Sequence, residues 1–171
     1  MAIPERIVWA IDHLAIRPGE RLLEIGCGRG VAMAEITPLL IDGHITGLDR
    51  SDSAISSAEA RNRAAITAGK AALVQGAFAD WKGAGRLFDK IFAINVNLFW
   101  LEAARELKLI RSLLAPEGRL ILFFEPPSAS QIPTIERAIA VRLAAARYTL
   151  EKSMHGPDAK PPLLGMVAKP T

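Results

Sequence analysis

Cysteine is almost absent from this chain: Cys27 stands alone among 171 residues. A single thiol excludes an intramolecular disulfide framework and any zinc site built on several cysteines. Neither sign of charge dominates, with 21 Lys+Arg against 18 Asp+Glu. The cations Arg17, Arg21, Arg29, Arg50, Arg61 and Arg63 are scattered, with no basic run. No basic segment interleaved with aromatic residues is present, so nucleic acid is not the expected partner. Long hydrophobic runs are missing too. The opening MAIPERIVWAIDHLAI carries Glu5 and Asp12 and has no signal-peptide apolar region. No apolar run reaches membrane-spanning length, so a cytoplasmic protein with no membrane partner is expected. The three histidines, His13, His44 and His155, have no companions in sequence and read as structural, and no metal is expected.

What is present is a rhythm. RLLEIG (21–26), HITGLD (44–49), AALVQG (71–76), KIFAIN (90–95) and RLILFFE (119–125) are nearly continuous apolar runs. Strands covered on both faces of a parallel sheet have this composition. Between them VAMAEITPLL, SDSAISSAEARNRAAITA and LEAARELKLIRSLLA carry apolar residues at helical spacing. Ser51 or Asp52 can cap the second of these, and Pro116-Glu117-Gly118 is expected to stop the third. A further helix is expected over IPTIERAIAVRLAAARY. YTLEKSM (148–154) and LLGMVAKP (163–170) then form two strands joined by HGPDAKPP, too short a link for a helical crossover. They should pair as an antiparallel hairpin. The expected fold class is α/β: a doubly wound, Rossmann-like, seven-stranded sheet, mostly parallel, with helices on both faces. One domain is expected over 1–171, with a short helical cap at 1–20 and a core at 21–171.

In open α/β sheets ligands bind beyond the carboxyl ends of the strands, near the point where strand order reverses. After the first strand come Gly26, Cys27, Gly28, Arg29 and Gly30. Glycines permit a tight turn, and free amides at a helix start suit an anion. The third glycine falls one residue early for the G-x-G-x-x-G dinucleotide fingerprint. Asp49 ends the second strand, where a carboxylate can accept hydrogen bonds from two ribose hydroxyls. Loop and acid together indicate a ribose-bearing cofactor. Cys27 reads as a small packed residue rather than a nucleophile. In INVNLFW, Asn95 and Asn97 are unusual within so apolar a stretch; if buried, their amides need partners, and a ligand edge is one. Trp100 lines either that pocket or the core. Trp9 has the same two readings, and Glu125 is either a rim contact to the acceptor or a solvated turn residue.

EIGCGRG, GLDRS, VQG, FDKIFAIN and LAPEGRLILFFE, in that order, resemble the motifs of class I S-adenosylmethionine-dependent methyltransferases, of the small single-domain type 11/25 kind. The similarity runs from about Arg17 to the end, terminal hairpin included. By this resemblance the Gly26–Gly30 loop, with Cys27 and Gly28, holds the methionine part of the cofactor, with Glu24 beneath it. Asp49, with Arg50 beside it, holds the ribose, Ala77 and Phe78 meet the adenine, and Asn95 lies beside the methionine amino group and the transferable methyl. The resemblance thus implies S-adenosyl-L-methionine as cofactor, S-adenosyl-L-homocysteine as product, and a small-molecule acceptor, for which Trp9, Asn97, Trp100 and Glu125 are the candidate contacts read from the residues themselves. One position departs from the pattern: the family often has an acid directly after the third-strand glycine, where this chain has Ala77. Asp80 is a substitute one turn further on. The fourth strand also lacks the Asn/Asp-Pro-Pro-Tyr/Phe signature of base-amine methylation.

Three other readings stay open. An enzyme of the same cofactor class acting on RNA or protein is disfavoured by the short stretch before the first strand. A non-catalytic cofactor-binding protein fits Ala77 and the missing base, although methyl transfer from a sulfonium chiefly needs alignment. A nicotinamide oxidoreductase fits neither the glycine spacing nor the terminal hairpin. The acceptor site is expected to be open, or closed by a second copy of the chain in a homodimer.

Overall fold

A computed structural model describes residues 2–83, 85–156 and 161–171. Helix α1 (Glu5–Leu14) is followed by β1 (Arg21–Ile25), α2 (Val31–Ile36), β2 (His44–Asp49), α3 (Asp52–Thr67) and β3 (Ala71–Gln75). Then come β4 (Phe88–Ile94), α4 (Leu98–Leu101), α5 (Ala104–Leu113), β5 (Leu114–Phe124), α6 (Ile132–Ala145), β6 (Tyr148–His155) and β7 (Leu164–Pro170). The strands form one sheet in the order β3-β2-β1-β4-β5-β7-β6. The pairs from β3 to β5 are parallel. Strand β7 runs antiparallel to both β5 and β6, as the closing hairpin requires. Part of the link between β6 and β7, residues 157–160 of HGPDAKPP, lies outside the described residues.

Period-two alternation sends neighbouring side chains to opposite faces of the sheet. Leu23 and Ile25 of β1 and Ile91 and Ala93 of β4 pack with Leu107 and Ile110 of α5 and Ile135 and Ile139 of α6. Leu22 and Phe92 point the other way, against Ala10 and Leu14 of α1 and Met33 and Ile36 of α2. The two covered faces account for the near-continuous apolar strands. Tyr148, the lone tyrosine, is buried and donates to the Leu107 carbonyl at 2.8 Å, tying β6 to α5.

Three local features differ from the sequence expectation. The helix beginning VAMAEITPLL turns into a 3-10 turn at Thr37–Leu39, because Pro38 has no amide to continue it. The stretch expected as one helix over 101–115 is split at Glu102 and Ala103 into α4 and α5. Pro116 does not end α5, which already stops at Leu113. Leu114 pairs with Phe88, and the next pairing is Arg119 with Lys90, so Pro116-Glu117-Gly118 forms a bulge inside β5. A proline without an amide is accommodated at such a bulge. Ser51 is the cap of α3, its hydroxyl accepting from the Ala54 amide at 3.3 Å. Among the described residues no helix is long and apolar enough to cross a membrane.

Candidate active site

Strand order reverses between β1 and β4, since the chain moves outward through β2 and β3 before returning to β4. A cleft of about 680 Å3 opens at the carboxyl ends of these four strands. Asp49 ends β2 and Arg50 follows it, Ala77 and Phe78 follow β3, and Asn95 and Asn97 follow β4; all six line it, as does Gly26.

The glycine loop is anchored from within. The amides of Gly26 and Cys27 both donate to the Leu48 carbonyl, at 2.7 and 3.0 Å. The Gly30 amide donates to the Cys27 carbonyl at 2.9 Å, and the Gly28 amide to Asp49 Oδ2 at 2.8 Å. Four amides of the loop are therefore engaged inside the protein, and fewer are free for an anion than the glycines alone implied. Gly28, at φ +52, has open space where a Cβ would stand, leaving the loop approachable from above. Gly30, at φ +67, is different: a Cβ there would lie 2.5 Å from Asn62 Nδ2 and 2.9 Å from Ala58 Cβ. Its role is to bring the start of α2 against α3. The buried Asn62 Nδ2 donates to the Gly30 carbonyl at 3.0 Å and to the Ala58 carbonyl at 2.9 Å.

Asp49 is half-buried, and its second oxygen accepts from the Ser51 amide at 2.9 Å. A carboxylate has about four lone-pair directions, so two remain for a ligand. Glu24 lies beneath the loop and is only 3% exposed, with Oε2 lacking any hydrogen-bond partner. Burial pushes its carboxyl up to about 8, with the Asp49 charge adding to the shift. The folded protein thus holds this proton more tightly than the unfolded chain, whose carboxyl titrates near 4.5. Its contribution to stability is full below the unfolded value and is lost as pH rises toward 8. Glu24→Gln is expected to flatten that fall, which is at most about 1.4 kcal/mol per pH unit. Denaturant midpoints measured across this range check it; an unchanged slope refutes the assignment. Cys27 is buried beside these acids. Burial, then the Glu24 and Asp49 charges, push its thiol up to about 12. Such a thiol is a poor nucleophile, in agreement with a packed role.

On the β4 side, Asn95 adopts φ +57, in the left-handed region that asparagine tolerates better than most residues. Its amide donates to the Phe123 carbonyl at 2.8 Å, and its Oδ1 accepts from the Glu125 amide at 2.6 Å. The ends of β4 and β5 are joined through this one residue. Asn97 Oδ1 accepts from Trp100 Nε1 at 3.4 Å. Both asparagines are exposed, not buried, because β4 ends at Ile94 and leaves them outside the sheet. Trp100 is half-buried against the α5–α6 side of the core, away from the cleft lining. Glu125 meets Arg6 at 3.5 Å, fixing the start of α1 to the rim. Trp9 packs edge-on against Phe123, with ring centroids 5.7 Å apart, and does not line the cleft. Asp80 accepts from Arg105 at 3.1 Å, also off the lining. Among the described residues no group of three or more His, Cys, Asp or Glu could hold a metal. The cleft also contains Leu98, at the start of α4, and Leu101 and Glu106, which the sequence reading did not single out. The break between α4 and α5 brings them there, and one continuous helical pattern concealed it.

The sheet order, the reversed β7 and the acid-anchored glycine loop at the switch point define a class I methyltransferase fold. The orphaned Glu24 oxygen, the unused Asp49 lone pairs and the open face of Gly28 fit a cofactor bearing a ribose and a cationic tail. Residues 22–118 match the family described as methyltransferase domain, and the chain belongs to that family. It is 25% identical to the uncharacterized methyltransferase YdaC of Bacillus subtilis (strain 168), over 80% of this chain and 74% of that one. Its fold is similar to that of a SAM dependent methyltransferase from Aquifex aeolicus (TM-score 0.77, 13% identity, 95% of this chain and 88% of the other). It is equally similar to geranyl diphosphate C-methyltransferase from Streptomyces coelicolor A3(2), crystallised with Mg2+, geranyl-S-thiolodiphosphate and S-adenosyl-L-homocysteine (TM-score 0.77, 15% identity, 97% and 75%). The protein is an S-adenosylmethionine-dependent methyltransferase, with S-adenosylhomocysteine as its product.

Proposed function

We propose that this enzyme methylates a small-molecule acceptor that enters the cleft beyond Asn95. The observation that carries the reading is the cleft itself. Its volume of about 680 Å3 falls within the range of about 300–1,000 Å3 usual for small-molecule sites, and the cofactor takes the Asp49 and Ala77–Phe78 side of it, leaving the β4 end to the acceptor. Its outer border, Val96, Leu98 and Leu101 with the Asn97 amide among them, offers an apolar seat with one polar contact. The Streptomyces relative of the same fold acts on geranyl diphosphate, an acceptor of this size class.

Bound in the cleft, the cofactor supplies a methyl group already activated by its sulfonium. The chain's own residues then hold, align and desolvate. Asp49 accepts from the ribose hydroxyls while keeping the Gly28 and Ser51 amides. Glu24 lies under the loop as a partner for the methionine end, with Gly26, Cys27, Gly28 and Gly30 shaping the turn above it. Arg50, Ala77 and Phe78 border the nucleoside. Asn95 fixes the spacing of the β4 and β5 ends, between which the transfer takes place. Asn97 and Glu125, with Trp100 behind them, are the polar rim toward the acceptor; Trp9 supports that rim through Phe123.

The test begins with calorimetric titration of S-adenosylmethionine and S-adenosylhomocysteine, where absence of binding at millimolar concentration overturns the cofactor site. A panel of small apolar and amphiphilic acceptors follows, with S-adenosylhomocysteine release as the readout. Turnover on a panel member is the expected result. Turnover confined to RNA or protein fractions refutes the small-molecule reading.

A further inference from the structure

The residue after the third-strand glycine is Ala77, which presents no side-chain acceptor. Resting on the cofactor site proposed above, we propose that Glu106, on α5, takes over recognition of the adenine exocyclic amine. Glu106 lines the cleft together with Ala77, Phe78 and Ala79, and the Arg105–Asp80 pair holds this end of α5 against that segment, so Glu106 borders the place expected for adenine. It is half-buried and has no ion pair or side-chain hydrogen bond among the described residues. Its neighbour Arg105 is turned away and paired with Asp80 at 3.1 Å. That pairing removes the nearby cation from Glu106 and removes Asp80 as a candidate for the amine. An acid in the first turn of a helix is commonplace as a partner of the helix dipole. What separates Glu106 is its position in the cleft, beside a segment in which Ala77 offers no side-chain acceptor. A free carboxylate accepts from an amino group and repels a carbonyl oxygen, so this placement selects adenine over its 6-oxo counterpart.

The test compares binding of S-adenosylhomocysteine with that of its inosine analogue, in which a carbonyl replaces the amine. In the wild type the analogue should bind roughly a hundredfold more weakly, the loss expected when a polar site is left mispaired. Glu106→Gln offers an amide that can donate to the carbonyl, and the preference should narrow about tenfold or more. Glu106→Ala should weaken S-adenosylhomocysteine binding roughly tenfold and also narrow the preference. Glu59→Gln, an exposed acid on α3 outside the cleft lining, serves as control and should leave the ratio unchanged. A ratio preserved in both Glu106 variants overturns the assignment, whatever happens to their stability. A wild type that binds neither compound overturns the underlying cofactor site instead, so the two failures are distinguishable.

Discussion

Asp49→Ala is expected to weaken S-adenosylhomocysteine binding by about two orders of magnitude, equivalent to about 3 kcal/mol. In the proposed site one carboxylate serves two purposes. Its oxygens already accept from the Gly28 amide at 2.8 Å and the Ser51 amide at 2.9 Å, so it sets the distance between the glycine loop and the start of α3. Its remaining lone pairs face the cleft, where two ribose hydroxyls can be held together. Each hydrogen bond to a charged acceptor contributes about 1.5–3 kcal/mol. Solvent reaches the half-buried group, which keeps each of the two bonds at the lower end of that range and their sum at about 3 kcal/mol. Asp49→Asn keeps one good acceptor and the shape of the turn, and should fall between the two. Calorimetry on all three proteins decides the matter. An affinity within threefold of wild type in the alanine variant would refute the ribose role.

Gly30→Ala should cost about 3 kcal/mol of folding stability. The left-handed conformation at φ +67 costs an alanine roughly 1–2 kcal/mol. The added methyl meets Asn62 Nδ2 at 2.5 Å and Ala58 Cβ at 2.9 Å, and overpacking of this kind costs about 1–3 kcal/mol more. Asn62 cannot yield freely, because its amide is committed to the Gly30 and Ala58 carbonyls. Gly28→Ala is the matching control. It has a similar backbone strain at φ +52 but open space around the methyl, so it should lose only about 1–2 kcal/mol. Denaturant midpoints for the two variants separate strain from crowding, and equal losses would show that the α2–α3 contact carries no part of the effect.

The two glycines show how far the sequence could be read. Their spacing, with Asp49 downstream, pointed to the loop and its kind of ligand. Nothing in the letters separated the glycine that opens onto the cleft from the one that packs against α3, since that depends on Ala58 and Asn62 arriving from another helix. The five parallel strands were legible because apolar runs of that length have few other uses. The division between α4 and α5 was not, since Ala103 and Ala104 are good helix formers and give no local stop signal. Glu106 was hidden by the same break. Asn95 and Asn97, out of place in so apolar a stretch, do line the cleft, but β4 ends at Ile94, so they do so as exposed residues beyond the strand and not as buried amides.

Cys27 gives the loop a further property. The chain's only thiol is buried at the base of the glycine turn, and its proton is held up to about 12. A thiol-reactive reagent at neutral pH therefore reads the fraction of molecules in which this turn has come away from Leu48 and α2, because only then does the sulfur ionise and become accessible. The site carries its own clock for local opening, in the native sequence and without an added label. Any ligand that closes over Gly28 slows that clock in proportion to how much it stabilises the closed turn.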